Sequence, residues 1–597
     1  MVANIKTNIE RLSFPLLVIF TTLASILAIG DFNRSLAIQD TSTSGIFNTN
    51  LLLYPEIYQN DIIKYLTPLG YLNPIVMMQY FLKLIFNVNP FYSSYFFLVL
   101  ANIVFVTGFY KLSKVFLEKK SLSAIATLIS LGIVIQDNNL SVFGPGTSFQ
   151  VFPDMNFYAL GVICLFLAST LKEKLFRSLI FLQILIFTHL GHALLILPVF
   201  YIYLFTKAII FKEQRAFLSK VFFSSLICLI SIFFLLSLNF INVSDSVSNE
   251  HIFSFLAGTV GGHIYPWENE TYFSIVLNYL AVFFAFIIIL RNSDKLTKSF
   301  WMLFLSLLSI VFVYFLIHFF ILHFEIISLV RFVQLLPLRS SVYIQLLILP
   351  FILGYFLTSL SSVNTNIFVK ILFFSILILM GSHKSFFSWV LLNSNYLDLA
   401  NFILIKIIFS VFLIISFLII KKMIFTQNIN LSMHFIALLF SGFITLESFN
   451  FFYGSKFAND EDREFVTLLR WMNQETTEDS KFITIDYHIQ INGISNRSTY
   501  RPFPFIPELY RSQEAEAEIF SNEILEYWGI SKKLSRGWFD NQDKQNIYDL
   551  YYKLSEDEII DMRKKTNSNF FITTQLHSKL NFPIVYKNNL HIIYKID

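Results

Sequence analysis

Residues 218–241 read LSKVFFSSLICLISIFFLLSLNFI, with Lys220 as the one charged side chain. A helix that crosses the hydrocarbon core of a bilayer needs about 20 mostly apolar residues. This stretch meets that requirement, and runs like it recur from near residue 13 to near residue 452. They fall at 13–30, 91–113, 121–137, 156–171, 176–190, 193–212, 218–241, 273–290, 299–321, 341–360, 367–385, 400–420 and 431–452. The expected fold is therefore an α-helical polytopic membrane protein of about 13 transmembrane helices. The run after Arg11 lacks a small-x-small cleavage site and reads as the first anchor, not as a signal peptide.

Composition agrees with that reading. The 597-residue chain is 55% hydrophobic and 14% charged, against about 45–50% and roughly 25% for soluble domains. That leaves too little polar surface to cover a soluble multidomain enzyme. Intrinsic disorder is excluded, because it needs low hydrophobicity and high net charge. Two cysteines make neither a disulfide framework nor a four-thiolate zinc site. A net charge of +4 is too small for a nucleic-acid partner. The 71 phenylalanines read partly as a bias toward A/T-rich codons.

Lysine and arginine set the orientation. Lys6 and Arg11 precede the first span, and Lys111, Lys114, Lys119 and Lys120 follow the second. Lys172, Lys174 and Arg177 follow the fourth; Lys207, Lys212, Arg215 and Lys220 follow the sixth. Arg291, Lys295 and Lys298 follow the eighth, and Lys421 and Lys422 the twelfth. With this span count every cluster falls on the side of the N-terminus, which is therefore expected to be cytoplasmic. The expected location is the plasma (inner) membrane.

Composition breaks near Gly454. Residues 1–453 form the expected multi-pass domain, with a large outer loop at 31–90; residues 454–597 carry no spanning run. The tail mixes helical periodicity at Glu461 to Asn473 with alternation at KFITIDY (481–487), 569–573 and 590–594. It is expected to be a soluble extracytoplasmic α/β domain, periplasmic or extracellular. No internal repeat is seen.

Ionisable groups at a membrane edge are costly and are functional candidates. Here they collect on the outer side: Asp31 after the first span, Asp61 in YPEIYQND, Asp154 in FPDMN, His189 and His192 in THLGH, His263 in GGHIYPWENE, and Arg331 and Arg339 in VRFVQLLPLRS. Each also has a plain structural reading. Asp31 can be solvated by headgroups, and Asp61 and Asp154 can cap the helices that follow. His189 and His192 share a face if they lie on one helix, a spacing that can hold a metal or a phosphate, but Gly191 can end a helix between them. His263 can belong to a solvated loop. Arg331 and Arg339 suit a lipid phosphate, since Arg binds it bidentately and keeps its charge; plain headgroup contact is the alternative. In the tail, Arg497, Arg501, Tyr510, Arg511, Trp528, Arg536 and Trp538 suit carbohydrate or phosphate contacts, and suit an ordinary α/β core and rim as well.

On the stretches YPEIYQND, FPDMNFYALG, THLGH, VRFVQLLPLRS and TYRPFPF, the chain resembles the GT-C class of polytopic glycosyltransferases, within it a bacterial membrane-protein branch. The resemblance implies transfer of a sugar from a polyprenyl-phosphate donor to an extracytoplasmic glycan, lipid or protein acceptor. It implies Asp31 or Asp61 as the first-loop acid, Asp154 as the second, and Arg331 or Arg339 at the donor phosphate. His189, His192 and His263 would hold the acceptor or a divalent metal, Mg or Mn. Membrane lipids are the remaining partners. Three alternatives stay open: a transporter or flippase of lipid-linked glycans, a polymerase or ligase of them, and a non-catalytic membrane scaffold.

Overall fold

The computed structural model describes residues 2–29, 45–58, 73–117, 119–127, 155–240, 248–250, 252, 295–324, 326–334, 340–361, 460–486, 490–502, 515–529, 541–575, 577 and 579–596. The spans expected at 273–290, 367–385, 400–420 and 431–452 lie outside these residues.

In the membrane part the helices are α1 (Val2–Ile29), α2 (Ile46–Leu53), α3 (Pro74–Phe86), α4 (Pro90–Phe116), α5 (Met155–Leu171), α6 (Leu175–Thr188), α7 (Leu190–Ile210), α8 (Arg215–Phe240), α9 (Lys295–His323), α10 (Val330–Gln334) and α11 (Ser341–Ser361). Among the described residues, four helical segments are long and apolar enough to cross a membrane: Pro90–Phe116, Leu190–Ile210, Arg215–Ser237 and Lys298–His323. The 31–90 loop is not bare, since it holds α2 and α3. Both α3 and α4 start on an Asn-Pro pair. The Asn73 and Asn89 side chains accept from the N–H two residues on, at 2.9 and 2.8 Å, and proline takes the first position, where no donor is missed.

The bundle is built around α4. Where it crosses α5, Gly161 lies on the α4 backbone, so that a Cβ there would sit 2.6 Å from Phe105 N and 2.7 Å from its Cα. Small residues allow this approach, which dispersion between helices then rewards. Phe116, Phe300 and Phe351 join α4, α9 and α11 with ring centroids 4.3–5.7 Å apart. Other aromatic and aliphatic side chains point out, among them Phe205, Phe223, Ile230 and Phe233, as a lipid-facing surface requires.

The tail has α12 (Asp460–Glu475), β1 (Lys481–Ile483), a π-turn (Ile491–Ser495), β2 (Ser498–Tyr500), α13 (Ala515–Tyr527), α14 (Asn541–Tyr551), α15 (Glu556–Thr566), β3 (Phe570–Thr574), β4 (Ile584–Lys587) and β5 (His591–Lys595). The five strands form one sheet in the order β2-β1-β3-β5-β4. β1 runs parallel to β2 and β3, and β5 pairs antiparallel with β3 and β4. Phe465, Leu468, Leu469 and Met472 pack α12 on one side of the sheet with Ile491 of the π-turn. Leu525, Ile547, Tyr551, Ile559 and Met562 bring α13, α14 and α15 into the core on the other. The strand expected at 481–487 ends at Ile483, because the chain bends at Ile485 and Asp486.

The tail docks on the 31–90 loop. Asn50 donates to the Gly493 carbonyl at 3.0 Å. The Tyr58 hydroxyl lies 2.9 Å from Asn492 O and 2.6 Å from Asn496 Oδ1. Beneath them Ile46, Phe91, Tyr95 and Leu98 form an apolar cluster with Val466 and Ile494. The tail is thereby fixed at the end of the bundle where α4 begins. The opposite end carries the lysines: burial lowers the pKa of Lys172, and the nearby charges of Lys114, Lys111 and Lys174 add to the shift.

Candidate functional site

At the end of the bundle that carries the tail, α6 gives way to α7 through one residue, His189. It closes α6 by donating its backbone N–H to Leu185 O at 2.7 Å. It opens α7 by accepting the His192 backbone N–H on its own Nδ1 at 3.3 Å. This corrects the single-helix reading. The two histidines do not share a helical face, and the break comes at His189, two residues before Gly191. Their rings still meet, with centroids 4.3 Å apart, because the capping bond folds the His189 ring back over the first turn of α7.

His192 is buried, and its Nδ1 shares a 2.5 Å hydrogen bond with the hydroxyl of Tyr343. Tyr343 comes from the start of α11 and is itself fully buried. The first outer loop also reaches the site: Asn73 Nδ2 donates to Thr188 O at 3.4 Å. Arg331 stands at the same end, on α10. Its neighbour Phe332 packs on Tyr314 with centroids 5.6 Å apart. The Tyr314 hydroxyl reaches Leu195 O at 3.5 Å, one turn into α7 from His192. Arg331 is half-buried, and that burial lowers its pKa from the ordinary arginine value.

His189 Nδ1 caps the N-terminus of α7, where backbone N–H groups and the helix dipole favour negative charge. That end of the helix suits an anion. Among the described residues no three His, Cys, Asp or Glu side chains come together as a metal would require.

Of the eight residues singled out from sequence, His189, His192 and Arg331 are thus brought to one end of the bundle. Asp31, Asp61, Asp154, His263 and Arg339 lie outside the described residues. Tyr343 and Asn73 were not singled out. Asn73 had a signal, the Asn-Pro helix start; Tyr343 had only its place at the start of a span. In the tail, Arg497 takes the second of its two readings, a place in the ordinary α/β core. It is 4% exposed and donates to Thr476, Ser495, Asn496 and Asn473 at 2.7–3.1 Å. Those bonds tie α12 to β2 and leave it a structural post. Tyr510, Arg511, Arg536 and Trp538 lie outside the described residues.

No family model and no curated protein matches the chain. Among solved structures it is similar to ArnT from Cupriavidus metallidurans in the apo state, at 10% identity over 98% of both chains with a TM-score of 0.48. It is likewise similar to the same protein bound to undecaprenyl phosphate, at 10% identity, 98% of both chains and a TM-score of 0.49. These neighbours are of the GT-C class that the sequence resembles. At such scores the likeness carries no activity, ligand or residue role across.

Proposed function

We propose that the chain is an integral membrane glycosyltransferase of the inner membrane. It takes a sugar from a polyprenyl-phosphate donor and passes it to an extracytoplasmic glycan, lipid or protein acceptor. The observation that carries this reading is the His189 cap at the break between α6 and α7, with the His192 ring hydrogen-bonded to Tyr343 beside it and Arg331 at the same end. The lysine-rich end of the bundle is read as cytoplasmic, which puts the tail and this site outside.

In the proposed reaction an acceptor hydroxyl oxygen bonds to the anomeric carbon as the bond from that carbon to the phosphate oxygen breaks. The hydroxyl proton goes to a carboxylate within hydrogen-bond reach, drawn from Asp31, Asp61 and Asp154. The negative charge gathering on the departing polyprenyl phosphate is met by Arg331, Arg339 and the N-terminus of α7 at His189. The polyprenyl tail stays in the apolar surround of the bundle while the sugar stays in water.

The test is transfer from a radiolabelled undecaprenyl-phosphate sugar by the full chain in liposomes. The wild type transfers label. Asp31→Ala, Asp61→Ala and Asp154→Ala are assayed singly, and at least one falls by 10²-fold or more, roughly what a general base contributes. Normal transfer by all three rejects the assignment of the base.

A further inference from the structure

Two helices reach the lysine-rich end of the bundle side by side. Where α4 crosses α5, a Cβ on Gly108 would collide with the Gly161 carbonyl, so the two backbones run in contact toward that end. Lys111 and Lys114, three apart, share a face of the last two turns of α4. α5 ends at Leu171, and the chain turns at once. The Lys174 N–H donates to Ser169 O at 2.9 Å, and Glu173 takes a left-handed backbone, φ 57°. That turn sets Lys172 and Lys174 near the end of α4, where the charges of Lys114, Lys111 and Lys174 act on Lys172.

Lys111, Lys172 and Lys174 are exposed and Lys114 is half-buried. Among the described residues none of the four ammonium groups has a carboxylate partner, because Glu173, the acid of the turn, is taken by Lys207 at 3.0 Å. Segments 111–120 and 172–177 together carry seven lysines and arginines against two glutamates. A helix C-terminus favours a lysine, which accounts for each one singly, but four at one place repel. The cluster also opens on lipid. Phe176, Ile180, Ile184 and Phe187 recur at helical spacing along one face of α6 and are exposed. This apolar stripe begins two residues from Lys174. Phe176 packs on Phe217 of α8 with centroids 5.9 Å apart, which makes the stripe continuous with the outward face of that helix.

We propose that these four lysines hold the headgroup of an anionic phospholipid with two phosphates, its acyl chains lying along the exposed stripe of α6. The lysines form two pairs, Lys111 with Lys114 on a helix and Lys172 with Lys174 on a turn, and each pair meets one phosphate. Lysine suits the task as a point charge on a flexible stem. Basic clusters between helices on the cytoplasmic side of a membrane bind such headgroups, and the lysine-rich end is the one read as cytoplasmic. A free polyphosphate would meet the same ammonium groups but would leave the apolar stripe without a partner, which favours the lipid. The bound lipid cancels the repulsion among the lysines, and so stabilises the end of the bundle where Lys207 and Glu173 are also paired.

The test uses the full chain in detergent, with cardiolipin, phosphatidylglycerol and inorganic pyrophosphate as probes. Native mass spectrometry reads affinity and thermal unfolding reads stability. The wild type binds cardiolipin roughly 20-fold more tightly than phosphatidylglycerol, whose one phosphate meets one pair, at about fivefold per lysine. Cardiolipin raises the melting temperature, as a ligand of the folded state does. Lys111→Gln with Lys114→Gln weakens cardiolipin binding by roughly 20-fold on the same count and loses the rise. Lys172→Gln with Lys174→Gln does the same. Without lipid both variants melt no lower than the wild type, since each removes a repulsion. Lys212→Gln with Lys220→Gln takes two charges from the same end of the bundle and keeps the wild-type affinity. Equal weakening by all three double variants, equal binding of the two lipids, or a rise with pyrophosphate that matches the rise with cardiolipin overturns the inference.

Discussion

At the lysine-rich ends of the helices a charge is buried with its partner, and at the tail-side ends the buried His192 and Tyr343 are hydrogen-bonded to each other. Lys207 is 1% exposed near the end of α7. Its ammonium lies 3.0 Å from Glu173 Oε1, which Ser299 Oγ approaches at 3.4 Å. Glu173 reaches it from the turn between α5 and α6, with a left-handed backbone, φ 57°. At the other end of α7 the His192 ring is hydrogen-bonded to the Tyr343 phenol, and the His189 ring accepts the His192 backbone N–H. A buried ion pair locks three helices together, and removing one partner leaves an uncompensated charge. A hydrogen-bonded imidazole can hold a donor toward a ligand at little cost. The lysine-rich end is thus built for stability, and the tail-side end is the one proposed for recognition.

The sharpest way to break that contrast is at Lys207. Lys207→Ala is expected to destabilise the protein by about 3 kcal/mol, the lower end for breaking a buried pair because Glu173 keeps some access to water. Lys207→Met combined with Glu173→Gln regains most of it. Thermal unfolding in detergent measures both, and transfer per folded molecule stays at the wild-type value. If the double variant is as unstable as the single one, the pair is not what holds that end.

At the outer end the expected effects move to the ligand. Arg331→Ala lowers the affinity for undecaprenyl phosphate by roughly 10- to 100-fold, as loss of a hydrogen bond to a charged group implies, with little change in melting temperature. Loss of stability without loss of affinity would make Arg331 another structural post like Arg497. Tyr343→Phe removes one neutral hydrogen bond, worth about 1 kcal/mol. It is expected to cut transfer about fivefold by letting the His192 ring turn, with KM for the donor changing less than kcat. Smallest of all, Asn50→Ala takes one bond from the tether of the tail. Limited proteolysis between the membrane domain and the tail is expected to speed up about twofold, with unfolding of the bundle unchanged.

Much of this was legible in the sequence, unevenly. Apolar runs revealed the helices because lipid demands them, and α4, α5, α6, α8, α9 and α11 begin within four residues of the runs that announced them. The helix of Glu461 to Asn473 and the strands at 569–573 and 590–594 followed from periodicity. The site was harder to read. THLGH drew notice as two histidines three apart, but not as a helix break, because the cap is a ring nitrogen and not a serine or aspartate oxygen. Tyr343 stands far along the chain from His192, and only packing joins them. Arg497 and Arg501 are alike in sequence, an arginine on either side of a short strand; burial among carbonyls separates the post from the rim.

The most direct measurement is binding of undecaprenyl phosphate to the full chain, by native mass spectrometry against phosphatidylglycerol as competitor. The wild type is expected to retain the polyprenyl phosphate in preference to the phospholipid. Arg331→Ala should lose that preference, while the inner-end double variant Lys207→Met, Glu173→Gln keeps it. A wild type with no preference, or an Arg331→Ala variant that binds as the wild type does, contradicts the account.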